Sequence, residues 1–227
     1  VPVESNPEAM KAVDGRAGEL ARMILHGGGQ RGEAMQAASE FDVMLRQATG
    51  LAKAPFVAEF VRMLLTHGIP TVLFGWHHAV YDVWCEKLKD FKPALYTGLQ
   101  SNNQKQLAVD SFVKGETDLL ILSLRAGAGL DGLQKRCCTT VHGEFDWSPG
   151  VIEQNIGRVA RDQQEHAVMS YMMMADVGTD PLMAETLGLK SDQIEGIRGR
   201  KTVLQRTENS GETLKKLARQ FLDHIGK

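Results

Sequence analysis

Short apolar blocks and longer segments with helical spacing alternate along the chain, and they predict alternating strands and helices. The blocks predicted to be strands are residues 71–76, 93–98, 119–124, 139–146 and 166–175. The segments predicted to be helices are residues 19–25, 33–46, 54–67, 79–91, 102–114, a helix that begins at Pro149, one between residues 178 and 190, and residues 211–225. Parallel strands need crossover helices between them, so this order favours one parallel α/β sheet.

The apolar block at residues 119–124 leads into a segment that contains Gly127, Gly129 and Gly132. Glycine permits positive φ and lets backbone N–H groups come close to a phosphate. No Lys-Ser or Lys-Thr pair follows these glycines, so the segment is not a Walker A loop. Taken alone, it fits either a tight strand-to-helix turn or an anion-binding loop. Ser123 stands near the end of the preceding strand, where α/β sheets bind ligands.

The helix predicted after Ser148 carries two arginines. Ser148-Pro149 is typical of an N-cap followed by proline at the first helical position. Gln154, Arg158 and Arg161 follow at spacings of four and three, which predicts that they share one helical face. Two aligned arginines suit the charge of a γ-phosphoryl group in transfer, although the same spacing also occurs on solvated basic helices.

In combination these features resemble motifs V and VI of superfamily 2 helicases, and most closely the second RecA-like lobe of Swi/Snf-type ATP-dependent DNA translocases. The matching positions are Ser123, Ala126, Gly127, Gly129, Leu130, Leu133, Asp146, Trp147, Ser148, Pro149, Gln154, Arg158, Arg161 and Gln164. The family has a glycine before the last of these glutamines, and this chain has Gln163 there.

The resemblance covers roughly residues 53–190, and it implies the fold and the domain organisation. Residues 53–190 would form a RecA-like C-terminal lobe, an α/β parallel sheet of about five strands flanked by helices. Residues 1–52 would be a helical extension or inter-lobe linker. Residues 191–227 would be a polar linker followed by an amphipathic C-terminal helix, which either docks on this lobe or binds a protein partner.

The resemblance also implies an ATP hydrolase of the helicase and translocase family, acting on double-stranded DNA. ATP and Mg²⁺ would bind between this lobe and an N-terminal RecA-like lobe of the same protein, so the chain alone is predicted to be inactive. The implied catalytic residues are the arginine fingers Arg158 and Arg161. The implied ATP-binding residues are Gln154, Gly129, Asp131, Arg158 and Arg161, and the implied DNA-binding residues are Ser123, Arg125, Gly127 and Lys105. No metal site is implied within the chain itself.

Two further functions remain open at this point. One is a strand-separating superfamily 2 helicase lobe, and the other is a catalytically silent RecA-like interaction module. A dinucleotide or methyl-donor enzyme would instead want an acidic residue at the end of a neighbouring strand to bind a ribose. The predicted strand at residues 93–98 has none.

Composition limits how the protein could bind DNA and in which compartment it could function. The net charge of −2 gives no overall basic character, so DNA contacts must come from a local patch. Cys85, Cys137 and Cys138 form neither a disulfide framework nor a zinc pattern, which indicates a reducing compartment, cytoplasmic or nuclear. No apolar run approaches the ~20 residues of a membrane span, and no signal peptide is visible. The chain starts at Val1 rather than methionine, which we interpret as a piece of a longer protein.

Overall fold

A five-stranded parallel sheet forms the centre of the computed structural model, which describes residues 1–26, 31–126, 130–187 and 210–226. Its strands are β2 (Thr71–Gly75), β3 (Ala94–Tyr96), β4 (Leu119–Ser123), β5 (Thr139–His142) and β6 (Met169–Met172), in the order β3-β4-β2-β5-β6. A second, two-stranded parallel sheet pairs β1 (Pro2–Val3) with β7 (Met174–Ala175). The predicted α/β class and five-stranded parallel sheet are confirmed.

Helices cover both faces of the central sheet. The helices of the described residues are α1 (Pro7–Lys11), α2 (Asp14–His26), α3 (Arg31–Thr66), α4 (His78–Lys87), α5 (Asn102–Val113), α6 (Pro149–Gly157), α7 (Asp180–Thr186) and α8 (Ser210–Ile225). The second half of α3 and α4 pack on one face of the sheet, while α5, α6 and α7 pack on the other. Ser101 and Gln104 form the predicted capping box at the start of α5.

One long helix replaces the two that the sequence predicts at residues 33–46 and 54–67. Gly50 lies between the two predicted helices and Pro55 lies at the start of the second, and both residues are inside α3. Close packing leaves no room for a side chain at position 50, since a Cβ there would lie 2.6 Å from Glu144 Oε1. The predicted boundary between residues 52 and 53 therefore falls within a continuous helix, and the division into domains stays a prediction.

Two other predicted elements were wrong in extent. The segment 166–175 was predicted as one buried strand, but it forms the edge strand β6 and then the separate short strand β7. An edge strand is covered only in part, and Met169 is half exposed. The helix predicted to carry Gln154, Arg158 and Arg161 ends at Gly157, so only Gln154 lies on it.

The C-terminal helix α8 packs against α2 and the first half of α3 in a third apolar cluster. Phe221 of α8 meets Phe41 of α3 edge to face, with the ring centroids 5.7 Å apart. The apolar stripe of α8 is therefore covered within the chain. Among the described residues, no helix has the length and apolar character that crossing a bilayer would need.

Candidate functional site

The carboxyl ends of β2 and β4 lie side by side, because Gly75 and Ser123 are paired in the sheet. Ser123 is partly exposed there, and the side chain of Arg125, two residues later, is exposed. These two predicted DNA ligands therefore share one accessible edge of the sheet. The other predicted loop residues, Gly127 and Gly129, lie outside the described residues.

Arg125 is held by a carboxylate from the next strand. Its Nε donates to Asp146 Oδ2 at 2.8 Å, and its Nη2 donates to Asp146 Oδ1 at 3.2 Å. Hydrogen bonding to Asp146, and then the charge of that carboxylate, raise the pKa of Arg125. Asp146 itself is buried, and among the contacts of the described residues this paired geometry fixes the guanidinium through two of its five N–H groups.

The segment that carries Asp146 is also tied to α3. Trp147 Nε1 donates to Asp42 Oδ1 at 2.7 Å, and Arg46 Nη2 donates to the Phe145 carbonyl at 2.8 Å. Burial raises the pKa of Asp42, and the Trp147 hydrogen bond opposes that shift. The residues on either side of Asp146 thus anchor the Arg125 edge to the long helix.

Arg158, one of the two predicted arginine fingers, is only 6% exposed. It follows the last turn of α6, and its Nη2 donates to the Ala126 carbonyl in the glycine-rich loop. Burial, and then the charge of Arg161, lower the pKa of Arg158. In this lobe Arg158 therefore joins the turn after α6 to the loop after β4.

Arg161, the other predicted finger, lies at the surface of that turn. Its Nε donates to the Gly157 carbonyl at 2.9 Å, and its Nη1 donates to the Leu130 carbonyl at 3.3 Å and forms an ion pair with Asp131. The predicted ATP-binding residues Asp131 and Arg161 are therefore in direct contact. Gln154, the other ATP-binding residue predicted in this region, is an exposed residue on α6.

An open cavity of about 660 Å³ lies beside this pair. Its wall consists of Asp131, Gly132, Gln134, Lys135, Arg161, Asp162 and Gln163. Lys135 and Gln163 were not predicted for the site. The family's glycine at the position of Gln163 was the available signal, because Gln163 has a φ of 73°, in the left-handed region that glycine adopts without strain.

Sequence reasoning also missed Glu144. This buried carboxylate accepts hydrogen bonds from the backbone N–H groups of Trp76 (2.7 Å) and His77 (3.0 Å). The Nδ1 atom of His77 lies 2.6 Å from its other oxygen. Trp76, the last residue of the strand predicted at 71–76, and His77 both follow the end of β2 and are thus fixed against the segment after β5.

Lys105, the last predicted DNA ligand, lies on α5 and is partly exposed. Its Nζ is 5.5 Å from the centroid of the Tyr96 ring, at the end of the edge strand β3. Lys105 is therefore at the same carboxyl end of the sheet as Ser123, one strand further out.

A comparison with known protein families finds a match for the central part of the chain. Residues 57–163 match the family described as the helicase conserved C-terminal domain. This central part of the chain is therefore similar to a helicase C-terminal domain. The match includes the loop after β4, α6 and the turn that holds Arg158 and Arg161. No curated protein sequence matches the chain significantly.

Solved structures share the fold of the chain. The C-terminal part of the Fun30 ATPase domain is 13% identical over 100% of this chain and 96% of its own, with a TM-score of 0.68. The Sulfolobus solfataricus SWI2/SNF2 ATPase C-terminal domain is 16% identical over 96% of this chain and 95% of its own, with a TM-score of 0.61. The resemblance to a Swi/Snf-type C-terminal lobe is confirmed.

One longer solved structure also shares the fold of the chain. The Sulfolobus solfataricus SWI2/SNF2 ATPase core domain is 12% identical over 99% of this chain, with a TM-score of 0.67. The match covers 47% of that core domain. The chain thus spans about half the length of that core domain.

Proposed function

We propose that this chain is the C-terminal lobe of an ATP-dependent DNA translocase. It supplies arginine side chains to ATP held by an N-terminal lobe, and it contacts the phosphates of double-stranded DNA. The observation that carries this proposal is the position of Arg161 on the wall of an open cavity, joined through the turn after α6 to Arg158 and the loop after β4. The family match over residues 57–163 supports it.

Arg161 is the group that meets the γ-phosphate. Its Nε is held by the Gly157 carbonyl, and its Nη1 contacts Asp131 at the cavity. The side chains of Arg161 and Asp131 are 39% and 79% exposed, and ion pairs this exposed are weak. A γ-phosphate carries more charge than a carboxylate and can therefore replace Asp131. An arginine finger stabilises the charge of the transition state and raises the rate by about 10³ to 10⁵.

Arg158 has a second part in the proposal. It links the turn that faces the nucleotide to the Ala126 carbonyl of the loop that faces DNA. A shift of this turn when ATP binds or is hydrolysed would therefore move that loop. Arg158 becomes a second phosphate ligand if the docking of the N-terminal lobe opens the turn.

The DNA contacts come from the carboxyl edge of the sheet. The Ser123 hydroxyl, the Arg125 guanidinium and the Lys105 ammonium can each meet a phosphate oxygen. Gly127 contributes its backbone N–H in this proposal. Such contacts have little sequence preference, as expected of a protein that moves along DNA.

In this proposal the N-terminal lobe completes the binding site for ATP and Mg²⁺. Among the described residues, no three His, Cys, Asp or Glu side chains are grouped to hold a metal ion. Arg161 fits the oxyanion of a nucleotide, while Asp131, the acidic residue that it contacts, is already paired. The Mg²⁺ ion, which neutralises developing phosphate charge, is therefore assigned to the other lobe.

ATP turnover by the two-lobe protein tests the proposal. Arg161→Ala should lower DNA-stimulated turnover by about 10³-fold or more and leave DNA affinity within about twofold. Arg219→Ala removes an exposed arginine of α8, which lies outside the cavity, and should change neither quantity. A collapse of DNA binding in Arg161→Ala would instead assign that arginine a structural role, and ATP turnover by the 227-residue chain alone would contradict the split site.

Two DNA substrates distinguish a translocase from a strand-separating helicase. A translocase displaces the third strand of a triplex without separating a duplex, whereas a strand-separating helicase unwinds a duplex with a single-stranded tail. We expect triplex displacement by the two-lobe protein and no unwinding of the tailed duplex. The absence of turnover with any DNA would favour a silent interaction module.

A further inference from the structure

Trp76 is an exposed aromatic residue at the carboxyl end of the central strand. The five residues of β2 before it are buried, whereas Trp76 is 37% exposed. The guanidinium of Arg125 lies over its ring, 5.6 Å from the centroid. Ser123, the last residue of β4, is paired with Gly75, the residue before Trp76. An aromatic ring is therefore placed among the groups that we assign to DNA phosphates.

Both members of this stacked pair are fixed from behind. The buried Glu144 carboxylate holds the backbone N–H of Trp76 at 2.7 Å and the N–H of His77 at 3.0 Å. Asp146 holds Arg125 through two hydrogen bonds. Because neither the strand end nor the guanidinium has to be ordered on binding, a ligand that stacks here loses less conformational entropy.

Packing does not explain this tryptophan. Trp84, by contrast, is fully buried beneath the sheet, and a Cβ at Gly75 or Gly143 would come within 2.6 Å or 2.4 Å of its ring. Trp76 fills no such space, and an exposed cation–π pair stabilises a fold only weakly. The geometry at Trp76 is better suited to an incoming planar group.

We propose that Trp76, together with Arg125, forms a stacking site for an unpaired base of DNA. The indole offers its π-face to any base, and the adjacent Ser123 and Arg125 contact the flanking phosphates. This inference rests on the proposed DNA contact at the carboxyl edge of the sheet. It adds a preference: DNA with unpaired nucleotides, such as a single strand or a fork, binds more tightly than a blunt duplex.

Tryptophan fluorescence of the 227-residue chain tests the site directly. The chain has three tryptophans, of which Trp84 is buried and Trp147 is bonded to Asp42. A single-stranded oligonucleotide and a forked duplex should quench the emission, a blunt duplex of equal length should quench it much less, and the quenching should vanish in Trp76→Phe. Stacking on a phenyl ring should keep most of the affinity of that variant.

Affinity measured by anisotropy gives the second readout. Trp76→Ala should weaken the binding of the single strand by about tenfold or more and that of the blunt duplex by less than twofold. Met63→Ala, which truncates an exposed apolar side chain at the other end of the lobe, should change neither. Because Trp76 is exposed, both variants are expected to fold. If Trp76→Ala does not fold, Trp76→Phe, which keeps an aromatic ring, still tests the site.

The possible results separate this inference from the proposed function. Equal losses for the single strand and the duplex in Trp76→Ala, or equal quenching in Trp76→Phe and wild type, would overturn the stacking site. If the wild-type chain still bound duplex DNA, the proposed phosphate contacts would stand. A chain that bound none of the three DNA molecules would overturn both.

Discussion

Removing one partner of the buried Lys53–Asp180 ion pair is expected to destabilise the protein by about 3–5 kcal/mol. Lys53 Nζ lies 2.6 Å from Asp180 Oδ2, and the two side chains are 1% and 3% exposed. Lys53 also donates to the Met173 carbonyl at 2.8 Å and lies over the Phe145 ring, 4.3 Å from its centroid. The pair thus joins α3 to α7 and to the segment after β6.

Lys53→Met keeps the shape of the side chain but leaves the Asp180 carboxylate buried without its cation. The Ala175 N–H, 2.8 Å away, still donates to it, but a single neutral donor does not offset its lost hydration. With a denaturant slope of about 2–3 kcal/mol per M, the urea midpoint should fall by about 1–2 M. The matched control is Lys216→Met, which breaks an exposed ion pair with Glu185 and should cost under about 1 kcal/mol.

The double variant Lys53→Met/Asp180→Asn decides whether charge is the cause. It removes both charges, and the asparagine oxygen still accepts the Ala175 hydrogen bond. We expect it to be more stable than Lys53→Met alone, with a coupling of at least about 2 kcal/mol between the two sites. Additive effects within about 0.5 kcal/mol, or a cost below about 1 kcal/mol for Lys53→Met, would refute the reasoning.

Two other residues give predictions of stability. Burial lowers the pKa of His142 to about 3, so the unfolded chain gains a proton below pH 6.5 that the folded chain does not, and stability falls with pH from 6.5 towards 3. Between pH 7 and pH 5 urea denaturation should show a loss of about 2 kcal/mol that is absent in His142→Leu; an equal loss in both proteins would assign the acid sensitivity to other groups. Gln163→Gly should raise the free energy of unfolding by about 0.5–1 kcal/mol, since it relieves a positive φ, whereas Gln163→Ala should give no gain. A glycine variant less stable than the alanine variant would contradict this.

The strands of the central sheet and the start of α5 could be predicted from the order of residue types. Buried parallel strands are apolar on both faces, so β2 and β4 stand out as short apolar runs. The capping box of Ser101 and Gln104 is a contact between residues three apart, and such local hydrogen bonding follows from residue types alone. The motifs around Ser123 and Arg158 likewise indicated the similarity to a helicase C-terminal domain.

The course of α3 and the surroundings of each site residue could not be predicted, because both depend on contacts between distant segments. Gly50 favours a helix break in isolation, but it lies inside α3, where Glu144, distant in the sequence, packs so closely that no side chain would fit. Arg125 is fixed by Asp146, and Arg158 is buried against the loop after β4, through contacts between residues 21 and 32 positions apart. A sequence pattern shows which groups are available, whereas burial and pairing depend on which segments the folded sheet brings together, and local spacing carries no information about that.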